Sequence, residues 1–257
     1  RARTWICQQL ERDLEDTPQI TGLVESMVLG MRADGLADIK EMFQRTGTLH
    51  LFAVSGLNVA MLGALVWLVL KPLRLRRGAA ILLIIPILWA YALITGLSAS
   101  CVRATIMGTA LLIGYLVDRP PLIYNSLAAA GLAILAWDTN QLFSPGFQFS
   151  FALVWAISFL AQRIQRRIEP LGQPDPFLPR ALWTARQKLG SHMTTTIAAT
   201  LGVTVAAWLG SLFFTAGYFH LFSLAAIGAN LVAVPLAFAV LALGIFTIAA
   251  SMLWPFA

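Results

Sequence analysis

Arg103 is the residue whose chemistry most needs an account. It stands near the head of an apolar run that reaches Val117, in the stretch Ser98-Ala99-Ser100-Cys101-Val102-Arg103-Ala104. A lone guanidinium inside a membrane span costs about 2.5–3.5 kcal/mol on insertion scales. No Asp or Glu lies within any of the expected spans; the nearest in sequence, Asp118 and Asp138, sit where loops are expected. The guanidinium must therefore snorkel outward, bond carbonyls freed at a broken helix, or meet an anion in a cavity. Other polar side chains gather at the heads of apolar runs in the same way: His50, Ser55 and Asn58; Ser98 and Ser100; Gln148 and Ser150; His220, Ser223 and Asn230. Helix N-termini carry partial positive charge, so a convergence of such starts beside Arg103 would suit a polyanion. Ser55 and Gly56 read equally well as small residues at which a neighbouring helix packs.

Much catalytic chemistry is missing from the pattern. There is no Gly-rich phosphate loop ending in Lys and no serine-nucleophile motif, and His50, His192 and His220 lack metal-ligand spacing with carboxylates or cysteines. No acid pair sits in a span for proton transfer. Cys7 and Cys101 match no metal spacing and read as free thiols. The chain is expected to be no enzyme and to hold no metal or cofactor.

The elements that must position these residues are membrane helices. Of 257 residues, 58% are hydrophobic and 12% charged, and the mean hydropathy is +0.76; such a chain buries itself in lipid. The spacing predicts an all-α polytopic transmembrane bundle of seven or eight membrane segments, some broken or re-entrant. The spans read Leu49–Leu70, Ala79–Leu97 with a bend at Pro86, Ser98–Val117, Leu122–Trp137, Phe147–Ala161 and about Thr194–Thr215. Beyond these, Phe219–Val234 joins Leu236–Trp254 through Pro235 without a polar turn, which suits two short helices meeting inside the protein or one helix kinked at the proline. In the first span, Ser55, Gly56 and Asn58 form a fault that loosens the helix; such backbone is tolerated only where protein or a wet cavity covers it.

Residues 1–48 read as a linker followed by short helices, one of them amphipathic through Leu36, Ile39, Met42 and Phe43, and residues 49–257 as the membrane domain. The first Arg is read as the cut end of a longer protein. The net charge is −2 over residues 1–48 and +8 over the rest. The positive charge gathers at Lys71, Arg74, Arg76 and Arg77, and again from Arg163 to Lys188, which places both loops in the cytoplasm and the polar helix starts outside. Topology is a sufficient reason for these basic loops, and nucleic-acid contact is the alternative. On the sixth span Thr200, Thr204, Ser211 and Thr215 share one stripe, opposite Gly202, Ala206 and Gly210: the first could line a wet path or bond its own backbone, the second lets a helix approach. Phe147, Phe149, Phe151 and Phe219 could stack bases, or sit in lipid or core.

Four stretches resemble a known family in its order: His50-Leu51-Phe52-Ala53-Val54-Ser55-Gly56-Leu57-Asn58-Val59; Leu93 through Ala104 (LITGLSASCVRA); Leu142 through Phe151 (LFSPGFQFSF); and Phe219 through Pro235. They are similar to the motifs of ComEC-type competence proteins, with Asn58 where the family commonly has His. The resemblance implies a bacterial inner-membrane channel for uptake of single-stranded DNA during natural transformation. Its implied partners are DNA, the lipid bilayer, a periplasmic DNA receptor and a cytoplasmic ATPase; any nuclease would lie in a flanking domain. The residues alone also allow a small-solute or anion permease with Arg103 as counter-charge, or a membrane scaffold for flanking domains.

Overall fold

The computed structural model describes residues 6, 21, 22, 24, 26, 28, 55–117, 122–172, 183–219 and 223–253. Among them are seven α-helices and no strand: α1 Gly56–Leu70, α2 Arg77–Ile94, α3 Ala99–Leu116, α4 Ile123–Trp137, α5 Pro145–Ile168, α6 Ala185–Phe219 and α7 Ala225–Leu253. Six helical stretches are long and apolar enough to cross a membrane, and α4 is a shorter apolar helix. This is the all-α membrane bundle that the hydropathy demands. The amphipathic segment at 36–45, His50, Leu51 to Val54, the loop at 173–182 and His220 lie outside the described residues.

Where the structure departs from the expected spans, local chemistry gives the reason. The first apolar run is not one helix through Ser55, because that residue is extended (φ −105°, ψ 166°) and α1 starts at Gly56. The fault is thus a helix start. Pro86 and Pro235 each sit inside a continuous helix, so the last run is one element. The fifth and sixth helices continue past their apolar cores into the basic segments, since Arg and Gln are good helix formers outside lipid.

The turn between α2 and α3 shows how the sequence sets a corner. Gly96 takes a left-handed backbone (φ 81°), and the amides of Leu97 and Gly96 bond the carbonyls of Ala92 (2.8 Å) and Leu93 (3.1 Å). This paired arrangement closes a helix end and satisfies its orphan carbonyls. Leu97, also left-handed (φ 53°), reverses the chain. Ser98 then caps α3, its hydroxyl accepting from the Cys101 amide at 3.4 Å.

The chain divides into two compact units, one running to Ser150 and resuming at Val232, the other spanning Phe151–Leu231. In the first, Val59, Leu62, Ile84, Leu88, Tyr91, Ala92 and Cys101 form a buried core joining α1, α2 and α3. Met61 packs with Ala237 and Leu241 of α7 in a second cluster. Large apolar side chains such as Leu132 (71% exposed) and Phe213 (79%) face outward, as lipid contact requires.

In the second unit α5 and α6 approach until backbone meets backbone. A Cβ on Gly202 would fall 2.7 Å from the Ala161 carbonyl oxygen, and one on Gly210 would fall 2.5 Å from Ala156 Cβ. These are the small residues expected to admit a neighbour. The opposite hydroxyls bond their own helix, Thr200 Oγ1 to the Thr196 carbonyl (2.9 Å) and Thr215 Oγ1 to Ser211 (3.0 Å), which relieves their polarity without a wet path. Gly210→Leu is expected to lower stability by about 1–3 kcal/mol through overpacking. Gly217→Ala, at a position with nothing within 4 Å, should leave stability unchanged. Thermal unfolding of the detergent-solubilised variants measures both.

Candidate functional site

Arg103 sits one turn into α3 and is 7% exposed. It does not snorkel. Its Nε donates to Ser150 Oγ at 3.3 Å, and the Ser150 hydroxyl in turn donates to the Gly146 carbonyl at 2.8 Å. A Cβ at Gly146 would lie 3.1 Å from an Arg103 terminal nitrogen. The guanidinium therefore rests on the bare backbone at the head of α5, where any side chain would push it away. No acceptor among the described residues meets its two terminal amino groups, and no carboxylate lies in any span to balance the charge.

The local sequence builds this seat. Ser144 precedes α5, and its carbonyl accepts from the amides of Phe147 (3.0 Å) and Gln148 (3.1 Å). Pro145 occupies the first helical position, where its missing N–H costs nothing. Gly146 and Ser150 then fall four residues apart on one face. Gln148 turns the other way, its amide donating to the Leu142 carbonyl at 3.0 Å, so it braces the preceding 3-10 turn Thr139–Phe143. Phe147 is buried.

The head of α1 joins the same end of the first unit. Gly56 packs against Ala104, the neighbour of Arg103, with an added Cβ reaching 3.1 Å from Ala104 Cβ. Ser55 Oγ donates to Asn58 Oδ1 at 3.4 Å, and Asn58 is 5% exposed. The starts of α1, α3 and α5 thus meet, through Gly56 with Ala104 and Gly146 with Arg103.

They do not present one continuous polar face. Arg103 and Cys101 lie about 200° apart around α3 at 100° per residue, so Arg103 looks toward α5 while Cys101 looks toward α1 and α2. On that second side runs a buried polar seam that the sequence pattern did not reveal. Asn58 bonds the Tyr91 hydroxyl, which donates to the Val28 carbonyl at 3.0 Å. Thr95 turns its hydroxyl to the carbonyls of Tyr91 (3.0 Å) and Ala92 (3.1 Å) and lies 3.6 Å from Cys101 Sγ. Cys101 is a buried free thiol. The available signal was the Tyr91-x-x-x-Thr95 spacing ahead of Gly96, which places two polar groups on one face of a helix that is otherwise apolar.

Of the remaining candidates, Ser98 is spent on the α3 cap and Ser100 is half-buried beside it. Ser223 and Asn230 belong to the second unit, where the Trp208 indole donates to the Ser223 carbonyl at 3.0 Å. Asn230 Oδ1 is buried with no hydrogen-bond partner among the described residues. His50 and His220 fall outside the described residues. Among the described residues no cluster of His, Cys, Asp or Glu could hold a metal.

A family model described as "Competence protein" matches residues 27–257. The chain belongs to the competence-protein family. It is 28% identical over 218 residues to ComE operon protein 3 of Bacillus subtilis (strain 168), an alignment covering 85% of this chain and 25% of that relative. The chain thus spans a quarter of the length of that relative. No solved structure matches. Family membership and the six span-length helices together make this a multi-pass membrane protein.

An unbalanced buried charge makes a thermodynamic prediction. Replacing such a group by an apolar one of similar length is often stabilising, so Arg103→Met is expected to raise stability by about 1–3 kcal/mol. Gly146→Leu, which would displace the guanidinium without removing it, should lower stability. Unfolding midpoints in detergent check both, and a large loss for Arg103→Met would mean that the guanidinium holds the helices together.

Proposed function

We propose that this segment is the membrane-embedded part of a conduit that passes one strand of DNA through the bacterial inner membrane into the cytoplasm during natural transformation. Family membership supports DNA uptake as the process. The observation that carries the role of this segment is Arg103: a guanidinium that is almost fully buried and, among the described residues, held through Nε only with no carboxylate opposite it. Such a group is costly unless an anion visits it. A phosphodiester offers what it lacks, two oxygens matched to the guanidinium fork.

The electrostatics of the bundle point the same way. With no acid in any span, a passing phosphate meets no fixed negative charge, and the starts of α1, α3 and α5 add partial positive charge where Arg103 sits. On this reading Arg103 and Ser150 form the phosphate-binding part of the outer mouth, with Ser55, Asn58, Ser98, Ser100 and Gln148 shaping the helix ends around it. The segment performs no catalytic step; a periplasmic receptor delivers the DNA, and a cytoplasmic ATPase or binding on the far side supplies the driving force.

The test is uptake of labelled DNA into a nuclease-resistant intracellular pool. Loss of a buried charge-assisted contact costs about 2–5 kcal/mol, so Arg103→Ala is expected to reduce uptake by about a hundredfold or more while leaving abundance in the membrane unchanged. Arg103→Lys should recover only part of it, because an ammonium cannot reproduce the planar fork. Uptake at the wild-type level in Arg103→Ala would remove the residue from the mechanism.

A further inference from the structure

The second unit holds a polar cleft that the passage of DNA past Arg103 does not use. It has a volume of about 410 Å³ and is lined by Glu169, Trp183, Lys188, Ser191, His192 and Thr195, which is within the range of pockets that hold small ligands. Its walls are the 3-10 turn Glu169–Gly172 and the first turns of α6.

The sequence makes this a shaped site. Thr184 and Gln187 form a reciprocal cap at the head of α6: Gln187 Oε1 accepts from the Thr184 amide (2.9 Å) and hydroxyl (3.1 Å), and Thr184 Oγ1 accepts from the Gln187 amide (3.3 Å). This fixes Trp183 immediately before the helix. Lys188, Ser191, His192 and Thr195 then recur at the spacing of one helical face. Thr195 Oγ1 donates to Glu169 Oε1 at 3.3 Å, tying that face to the opposite wall.

The depth of the cleft follows from the course of α5 ahead of Glu169. Trp155 and Phe159 stack at 5.1 Å with their planes 7° apart. The Arg163 guanidinium lies 3.7 Å over the Phe159 ring and bonds the Phe159 carbonyl. An aromatic pair capped by a cation marks a membrane–water boundary. Glu169 comes six residues further on, so the cleft lies beyond the hydrocarbon. Arg166, Arg167 and Arg186, close in sequence to its lining residues, are exposed, and the charge bias puts this end in the cytoplasm.

The lining combines an indole face, an ammonium, an imidazole, two hydroxyls and one carboxylate. That set suits an aromatic base carrying an exocyclic amine and, beside it, a phosphate. Resting on the DNA reading above, we propose that the cleft receives one base of the emerging single strand, stacked on Trp183 with its amine toward Glu169, and holds the adjacent phosphate at Lys188. Stacking on an aromatic side chain with a cation on the backbone is how a single strand is gripped without sequence preference. The surrounding arginines draw the strand in without contributing to the stack. A lipid headgroup shares the phosphate but has no base to place on the indole.

The experiment is fluorescence anisotropy on the full chain in phosphatidylcholine nanodiscs, with labelled dC12 and an abasic 12-mer of the same charge. Trp183→Ala is expected to weaken dC12 by about tenfold and to leave the abasic strand unaffected. Lys188→Gln should reduce the magnitude of the salt slope by about 0.7 for both strands. Equal loss of both strands in Trp183→Ala, or no loss of either, overturns the stacking site, while wild-type binding of dC12 leaves the DNA reading standing. Failure of the wild type to bind dC12 at all overturns both.

Discussion

A cation kept from water without a counter-charge is the condition on which the first unit turns. In hydrocarbon a polar group with no partner costs several kcal/mol, and almost every other one here finds its partner locally. Hydroxyls bond the carbonyls of their own helix, Gln148 braces a turn, and Tyr91 and Thr95 spend their hydroxyls on backbone oxygens. Among the described residues the hydroxyls of Thr105 and Thr109 are buried without a partner, and Arg103 is the charged group left short of partners. It receives one side-chain acceptor, Ser150, whose hydroxyl hydrogen already belongs to Gly146. The oxygen of Ser150 is therefore turned toward Nε, and among the described residues no acceptor meets the terminal amino groups, which lie against Gly146.

Two motifs far apart in the chain become one device through this contact. Gly96 and Ser98 decide where α3 begins, and with it the depth of Arg103 below the helix head. Ser144 and Pro145 decide where α5 begins, and so which face carries Gly146 and Ser150. A shift of one residue in either start would turn the side chains concerned by about 100° and separate them. The small, polar and cyclic residues in LITGLSASCVRA and LFSPGFQFSF are thus accounted for by helix termination and initiation, with Arg103 as the group whose placement those ends serve.

How much of this was legible in the sequence depends on whether a signal was local. The spans, the early position of Arg103 in its helix, the small-residue stripe of α6 and the gathering of helix starts at one end follow from hydropathy, spacing and loop charge. Facing was not legible. A helix apolar on every side, such as α1, offers no periodicity to say which face is inward, so Asn58 could be placed at a depth but not beside Tyr91. The polar seam through Asn58, Tyr91, Thr95 and Cys101 joins three helices, and tertiary packing alone brings those groups together. The break at Ser55 was legible as a weakness in the run; that it is a helix start depends on an extended backbone at one residue.

The second unit obeys the same constraint by a different route. Gly202 and Gly210 let α5 and α6 meet at backbone distance, where dispersion and close carbonyl contacts do the holding. Such packing leaves no space between the two helices in the hydrocarbon, so the polar surface they share opens only past its edge, where the Thr184–Gln187 cap and the Glu169–Thr195 bond shape the cleft. Arg103 is almost fully buried, whereas Lys188 is exposed at its cleft. Charge exposed to water is screened, so an ammonium in that position holds an anion only weakly. Any grip on a single strand at this cleft would therefore rest more on a base stacked on Trp183 than on charge.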